Sequence, residues 1–202
     1  MNQTSSEYNA YVNLGLAADI LMLNGDVAGG LLNHWLATKP LTYTTARFDI
    51  TGFLIASGHN VSFTNSGKPV TLNPSILASL YLNVPGFSRQ VLSQVAADRG
   101  MTATLPWRRY FIPSGSFSDL ILGRGSQEDW FGSFGNIGYR VQVSSGAGST
   151  SRFRFEIEKY YDFDNPFGTP LGNYTTQQLQ DVQAEGFAEN FWITGTSGWF
   201  TG

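Results

Sequence analysis

The sequence contains no cysteine, which removes disulfide frameworks, thiolate nucleophiles and zinc–thiolate sites from consideration. Charge is scarce as well: Asp, Glu, Lys and Arg make up 13% of the chain, about half the usual share. The 12 basic and 15 acidic residues leave a net charge of −3. Arg108-Arg109 and the pair Arg152 and Arg154 are the only local basic concentrations, too few to follow a phosphate backbone, so no nucleic-acid partner is expected. Long apolar runs are missing too. Leu14–Leu23 is short and broken by Asp19, so membrane insertion is not expected. The N-terminus has no positively charged leader, its first charged side chain being Glu7, and a signal peptide is not expected. An extracellular or virion-associated location then needs lysis, a dedicated secretion machine or packaging into a particle.

What the chain has instead is hydrophobic content at 42%, aromatics at 14% and 23 glycines in 202 residues. That is enough apolar surface to build a core and argues against disorder. A surface of Ser, Thr, Asn, Gln and Gly is common in secreted β-proteins and assembly components.

The periodicity changes along the chain. Residues 5–37 read as two helices. Ser5 or Ser6 caps the first, which carries Ala18, Leu21 and Met22 on its apolar side. Asp26 opens the second, where Ala28, Leu31, Leu32, Trp35 and Leu36 form one buried stripe. Phe48, Ile50, Phe53, Ile55 and Val61-Ser62-Phe63, punctuated by Gly58-His59-Asn60, read as short strands, with Val70-Thr71-Leu72 after a turn. Asn73-Pro74-Ser75 starts a helix. Pro85–Arg99 is a second one, with Phe87, Val91, Leu92 and Val95 inward, and Gly100 stops it.

Beyond Met101 the pattern is strand and turn. Ile137, Tyr139, Val141 and Val143 alternate with Gly or polar residues, and Phe153, Phe155 and Ile157 alternate with Arg152, Arg154, Glu156 and Glu158. With Ser144–Ser149 between them, these runs predict a hairpin with an apolar face and a solvated Arg/Glu face carrying cross-strand ion pairs. Thr175 and Gln178 match a capping box for a helix reaching about Ala188, with Leu179, Val182 and Phe187 inward. Strands at Phe191–Thr194 and Gly198–Phe200 close the chain. The predicted class is α+β: N-terminal helices, then a C-terminal antiparallel sheet or partly open barrel with one late helix. Residues 1–100 form the mainly helical part and 101–202 the β domain, with a soft boundary that leaves a single domain open.

Candidate chemistry is sparse. Of the two histidines, His34 lies on the second helix and His59 in a turn, and neither has metal-ligand spacing. No GxSxG elbow is present. Gly123-Arg124-Gly125 lacks a phosphate-loop spacing, and Gly146-Ala147-Gly148 is hairpin chemistry. Glu128-Asp129 precedes Trp130. Asp162-Phe163-Asp164-Asn165 begins like a calcium loop, but Pro166 and Asn173 stand where an oxygen donor and a bidentate Glu are wanted. No metal or cofactor is assigned.

The segment Glu158-Lys159-Tyr160-Tyr161-Asp162-Phe163-Asp164 resembles the C-terminal activity domain of colicin M-type bacteriocins. The likeness extends to Phe134-Gly135-Asn136-Ile137 at a preceding strand start, and loosely to Leu31–Leu36 with His34. It covers roughly residues 130–195 in few identities. It implies a periplasmic toxic activity, hydrolysis of the peptidoglycan precursor lipid II, with Tyr161 and Asp162 at the family's Tyr-Asp-Phe position. Two departures stand against that transfer. Lys159 occupies the place of the family's first Asp, and Gly168-Thr169 that of its His-Arg pair. Shifting the register by one residue makes Glu158 the acid partner of Asp162.

The leading expectation is therefore a non-enzymatic binding or assembly domain, a component of a phage-like particle or secreted machine, with protein partners or self-assembly. Trp107, Trp130, Trp192 and Trp199 are its candidate anchors, or else core fillers. The colicin M-like toxin is the alternative, and a carbohydrate-binding β domain using exposed Trp and Tyr is the second.

Overall fold

The computed structural model describes residues 6–23, 27–36, 68–97, 102–113, 130, 133–145, 151–162 and 176–201. The short strands read between residues 43 and 67, the His59 turn, Gly123–Gly125, Glu128-Asp129, Gly146–Gly148, Phe163-Asp164, Gly168-Thr169 and the Thr175 cap lie outside them. Within them the chain is α+β. Helices α1 (Ser6–Leu23) and α2 (Val27–Leu36) come first. Strand β1 (Val70–Leu72), helices α3 (Pro74–Asn83) and α4 (Pro85–Ala97), and strands β2 (Ala103–Thr104) and β3 (Arg108–Phe111) follow. Strands β4 (Asn136–Ser145) and β5 (Ser151–Tyr161), the late helix α5 (Thr176–Ala184), and strands β6 (Phe191–Thr196) and β7 (Phe200–Thr201) complete it.

The sheet is built around β4 and β5. They pair antiparallel with Val141 opposite Phe155 and Val143 opposite Phe153. Because side chains alternate along a strand, this register puts Ile137, Tyr139, Val141, Val143, Phe153, Phe155 and Ile157 on one buried face. Beyond β4, the short strands β2 and β3 share its free edge. Along the other edge of β5 run β6 and then β7. Ser197 bridges the break between those two: its amide donates to the Phe155 carbonyl at 2.9 Å. Its hydroxyl accepts from the Phe155 amide at 2.9 Å, so no ladder group on β5 is orphaned there.

The sheet is mixed, because β1 pairs parallel with β6. The expected antiparallel sheet thus takes its outermost strand from the first hundred residues. The hydrophobic core likewise draws Trp35, Leu77, Phe87, Phe155 and Ile193 into one cluster.

Local chemistry accounts for the start of α3 and the end of α5. The Asn73 side chain accepts from the Ile76 amide at 2.9 Å, and Pro74 takes the first helical turn of α3, where its missing N–H costs nothing. Helix α5 stops at Ala184 rather than near Ala188. Gly186 sits at φ 72°, its amide donating to the Gln183 carbonyl at 2.8 Å and the Phe187 amide to the Val182 carbonyl at 3.1 Å. That is a Schellman ending, and it swings Phe187 inward onto Tyr11, with ring centroids 5.2 Å apart. Phe187 is buried as expected, but from the turn.

One inward assignment fails. On α4 Phe87, Val91 and Val95 are buried, whereas Leu92 is exposed and Gln94 takes the inward place. The reason is polar: the Gln94 amide donates to the Tyr139 hydroxyl at 2.5 Å, and that hydroxyl donates to Gln90 at 3.0 Å. A buried tyrosine hydroxyl needs partners, and α4 turns the face that supplies them. On α2 all five expected residues are buried. On α1 Tyr11, Leu14, Ala18 and Leu21 are, while the side chain of Met22 is not described.

Helix α3 packs against β6 at Gly195. A β-carbon there meets Leu77 at 2.9 Å and the Leu72 carbonyl oxygen at 3.1 Å. Gly195→Ala is expected to destabilise the fold by about 1–3 kcal/mol through overpacking. Urea unfolding checks this; an unchanged midpoint would show that the contact relaxes without cost.

Candidate functional site

The face of β4 and β5 turned away from the core is polar and aromatic. Opposite pairs in the register are Gly138 with Glu158, Arg140 with Glu156, Gln142 with Arg154 and Ser144 with Arg152. From β3, Arg109 lies opposite Gly138, and from β6, Trp192 lies opposite Tyr160. The expected cross-strand ion pair is present: Arg140 meets Glu156 at 2.6 Å. Glu156 also accepts from Gln142, and Gln142 accepts from Arg154 at 2.7 Å.

Guanidinium groups then cover two of the tryptophans. Arg140 lies over the Trp107 ring at 4.9 Å, and Arg154 and Arg152 lie over Trp199 at 4.9 and 5.6 Å. Cation–π contact at partly exposed sites contributes about 0.5–1 kcal/mol each and holds both rings in place. Arginines scattered in the sequence are thus gathered on one face, and Arg140, Arg152 and Arg154 are each engaged by a carboxylate, an amide or a ring.

The four candidate tryptophans divide. Trp107, Trp192 and Trp199 are 40%, 50% and 42% exposed, and Trp130 is 2% exposed. Trp130 stacks on Phe134 at 5.8 Å and is a core residue, so it offers no surface to a partner. His34 is buried on α2 beside Phe191, its Nε2 3.1 Å from the Lys68 carbonyl oxygen. Burial lowers its pKa, which keeps the ring neutral as a fastener between α2 and the segment entering β1.

At one end of the outer face the strands frame a cleft of about 360 Å³. Arg109 enters from β3, Asn136 and Gly138 from β4, and Glu158, Lys159 and Tyr160 from β5. Asp162 follows just past β5, and Trp192 enters from β6. Gly135, at φ 58°, delivers the chain into β4 at this end. Gly138 makes room for the Glu158 side chain: a β-carbon there would meet the Glu158 Cγ at 3.0 Å. The rings of Tyr160 and Trp192 approach to 5.1 Å at 50°.

Three of the sequence-derived site residues, Glu158, Asp162 and Trp192, therefore meet in one cleft. Tyr161 does not join them. Strand alternation turns it to the core, where it stacks on Phe191 at 5.0 Å, and burial raises its pKa strongly. Arg109, Lys159, Asn136 and Tyr160 are cleft residues that sequence reasoning left out. Arg109 was visible only as part of a basic pair, and Lys159 only as a departure from a family pattern.

Lys159 is the lining residue whose titration the cleft perturbs. Its pKa is lowered by burial first; Asp162 acts against this and Arg109 with it. The ammonium lies 3.8 Å from the Asp162 carboxylate. Among the described residues no three His, Asp or Glu side chains group as a metal site, and no helix is long and apolar enough to cross a membrane.

No protein-family model matches the chain, and no curated protein or solved structure shows significant similarity to it. The reading of the cleft therefore rests on its chemistry.

The charge balance around Lys159 is open to measurement. Asp162→Asn removes the carboxylate that favours the ammonium, while burial and Arg109 remain. The Lys159 pKa is expected to fall further below the ordinary lysine value. A pH titration of its 13Cε resonance reads this directly; an unchanged titration would detach Asp162 from the amine.

Proposed function

We propose that the protein is a non-enzymatic binding or assembly domain that meets a protein partner, or a second copy of itself, across the outer face of its sheet. The observation that carries this reading is the sorting of the two sheet faces. α3 and α4 pack on the inner one, while Trp107, Trp192 and Trp199 stand half exposed on the outer one. Half-exposed tryptophans and ring-stacked arginines are the residue types that dominate binding hot spots. Here Trp107 and Trp199 are held in position through the Arg140–Glu156–Gln142–Arg154 ladder, which lowers the ordering cost of association.

Size exclusion with light scattering, run across a concentration series, is the primary test. Concentration-dependent association is expected, and Trp107→Ala with Trp199→Ala should weaken it by at least about tenfold. Both side chains are partly exposed, so the double variant should retain the native circular dichroism. A strictly monomeric protein that also captures no partner in pull-downs would overturn the reading.

A second reading follows from Glu158 and Asp162 lining the same cleft. On a colicin M-like scaffold these carboxylates would serve lipid II hydrolysis, with Arg109 and Lys159 near the diphosphate. The pairing of Asp162 with Lys159 weighs against a free acid/base role. Purified protein incubated with lipid II is expected to release no pyrophosphate-bearing product. Turnover that disappears in Asp162→Ala would favour the toxin instead.

A further inference from the structure

The cleft differs in character from the rest of the outer face. Arginines cover Trp107 and Trp199, whereas Trp192 pairs with Tyr160 and remains half exposed at the cleft wall. At about 360 Å³ the cleft lies at the small end of the range for small-molecule sites. Its walls combine one aromatic platform with donors and acceptors: Arg109 from β3 and Asn136 from β4, Glu158 from β5 and Asp162 just past it. Two cations, Arg109 and Lys159, face two carboxylates, Glu158 and Asp162. The site is therefore charge-balanced, which offers no net attraction to a strong anion or cation.

A neutral ligand with many hydroxyls and an apolar C–H face fits that set of groups. A pyranose ring lays its axial hydrogens on the negative face of an indole, and its hydroxyls both donate to carboxylates and accept from Arg and Asn. We propose that this cleft is a saccharide-binding subsite, with Trp192 as the stacking platform and Glu158, Asp162, Arg109 and Asn136 as hydroxyl partners. Gly138 contributes by absence. Without a side chain of its own, it lets Glu158 lie across β4 and so sets where that carboxylate meets the sugar. The proposal rests on the binding-domain reading and gives one part of its surface a ligand class.

Saturation-transfer NMR with glucose, galactose, N-acetylglucosamine and their β-linked disaccharides tests it on the intact protein, with inorganic pyrophosphate as a charged control. At least one sugar should bind saturably in the millimolar range. Trp192→Ala should weaken it by about tenfold or more, while Trp199→Ala, on the same face but outside the cleft, should leave it unchanged. Gly138→Val should abolish binding with Trp192 intact, because the new side chain displaces Glu158; its native circular dichroism would confirm the fold. Absence of saturable binding by every sugar, equal effects of Trp192→Ala and Trp199→Ala, or binding of pyrophosphate alone would each overturn the proposal. Loss of association in the Trp107→Ala, Trp199→Ala variant with sugar binding intact would support both readings. Sugar binding by a chain that never associates would support the subsite and remove only the assembly reading.

Discussion

The pairing of β4 with β5 is the constraint on which the other described elements depend. Its register sets Val141 against Phe155 and Arg140 against Glu156, so alternation separates an apolar face from a charged one. A slip of β5 by one residue would turn Phe153, Phe155 and Ile157 to solvent and bury two arginines and two glutamates. The cost of that exchange holds the register. The edge strands inherit their alignment from it: β2 and β3 along β4, β6 and β7 along β5. Helices α3 and α4 then have one surface on which to bury Leu77, Leu80, Phe87 and Val91.

The same sorting generates the candidate site. Residues that alternate with the core residues of β4 and β5 must share the outer face, so Glu158, Tyr160 and Arg140 are brought there by backbone geometry. The framework holding them is polar and continuous, running from the Trp107–Arg140 stack through Glu156 and Gln142 to the Arg154–Trp199 stack. Individual surface ion pairs contribute little, but a ladder with stacked rings fixes many rotamers together. The cleft begins where this ladder ends, at Gly138, over which the Glu158 side chain lies.

Some of this was legible from the residues and some was not. The hairpin, its buried face and its ion pair were read from period-two alternation, since a β-sheet maps sequence parity directly onto its faces. The start of α3 was legible in Asn73-Pro74, a local signal complete within four residues. The end of α5 was equally local, but Gly186 was passed over in favour of the apolar residues beyond it, which are buried from a turn. Leu92 could not be placed by pattern, because a helix stripe leaves its orientation free by a residue and the hydroxyl of Tyr139, 45 positions from Gln94 in sequence, decided it.

By itself, the sequence determined the elements whose rules are short-range: the α2 stripe, the Asn73 cap, the β4–β5 alternation and the resulting α+β class. Only the tertiary structure decided what non-local pairing controls. It added β1 to β6 in parallel, put Trp130 in the core and Trp192 at a cleft, and brought Arg109 to Glu158 and Asp162. The physical reason is the range of the forces involved. Strand parity and capping act over a few residues, whereas burial of a tryptophan or the company of a lysine depends on which distant strand lies beside it.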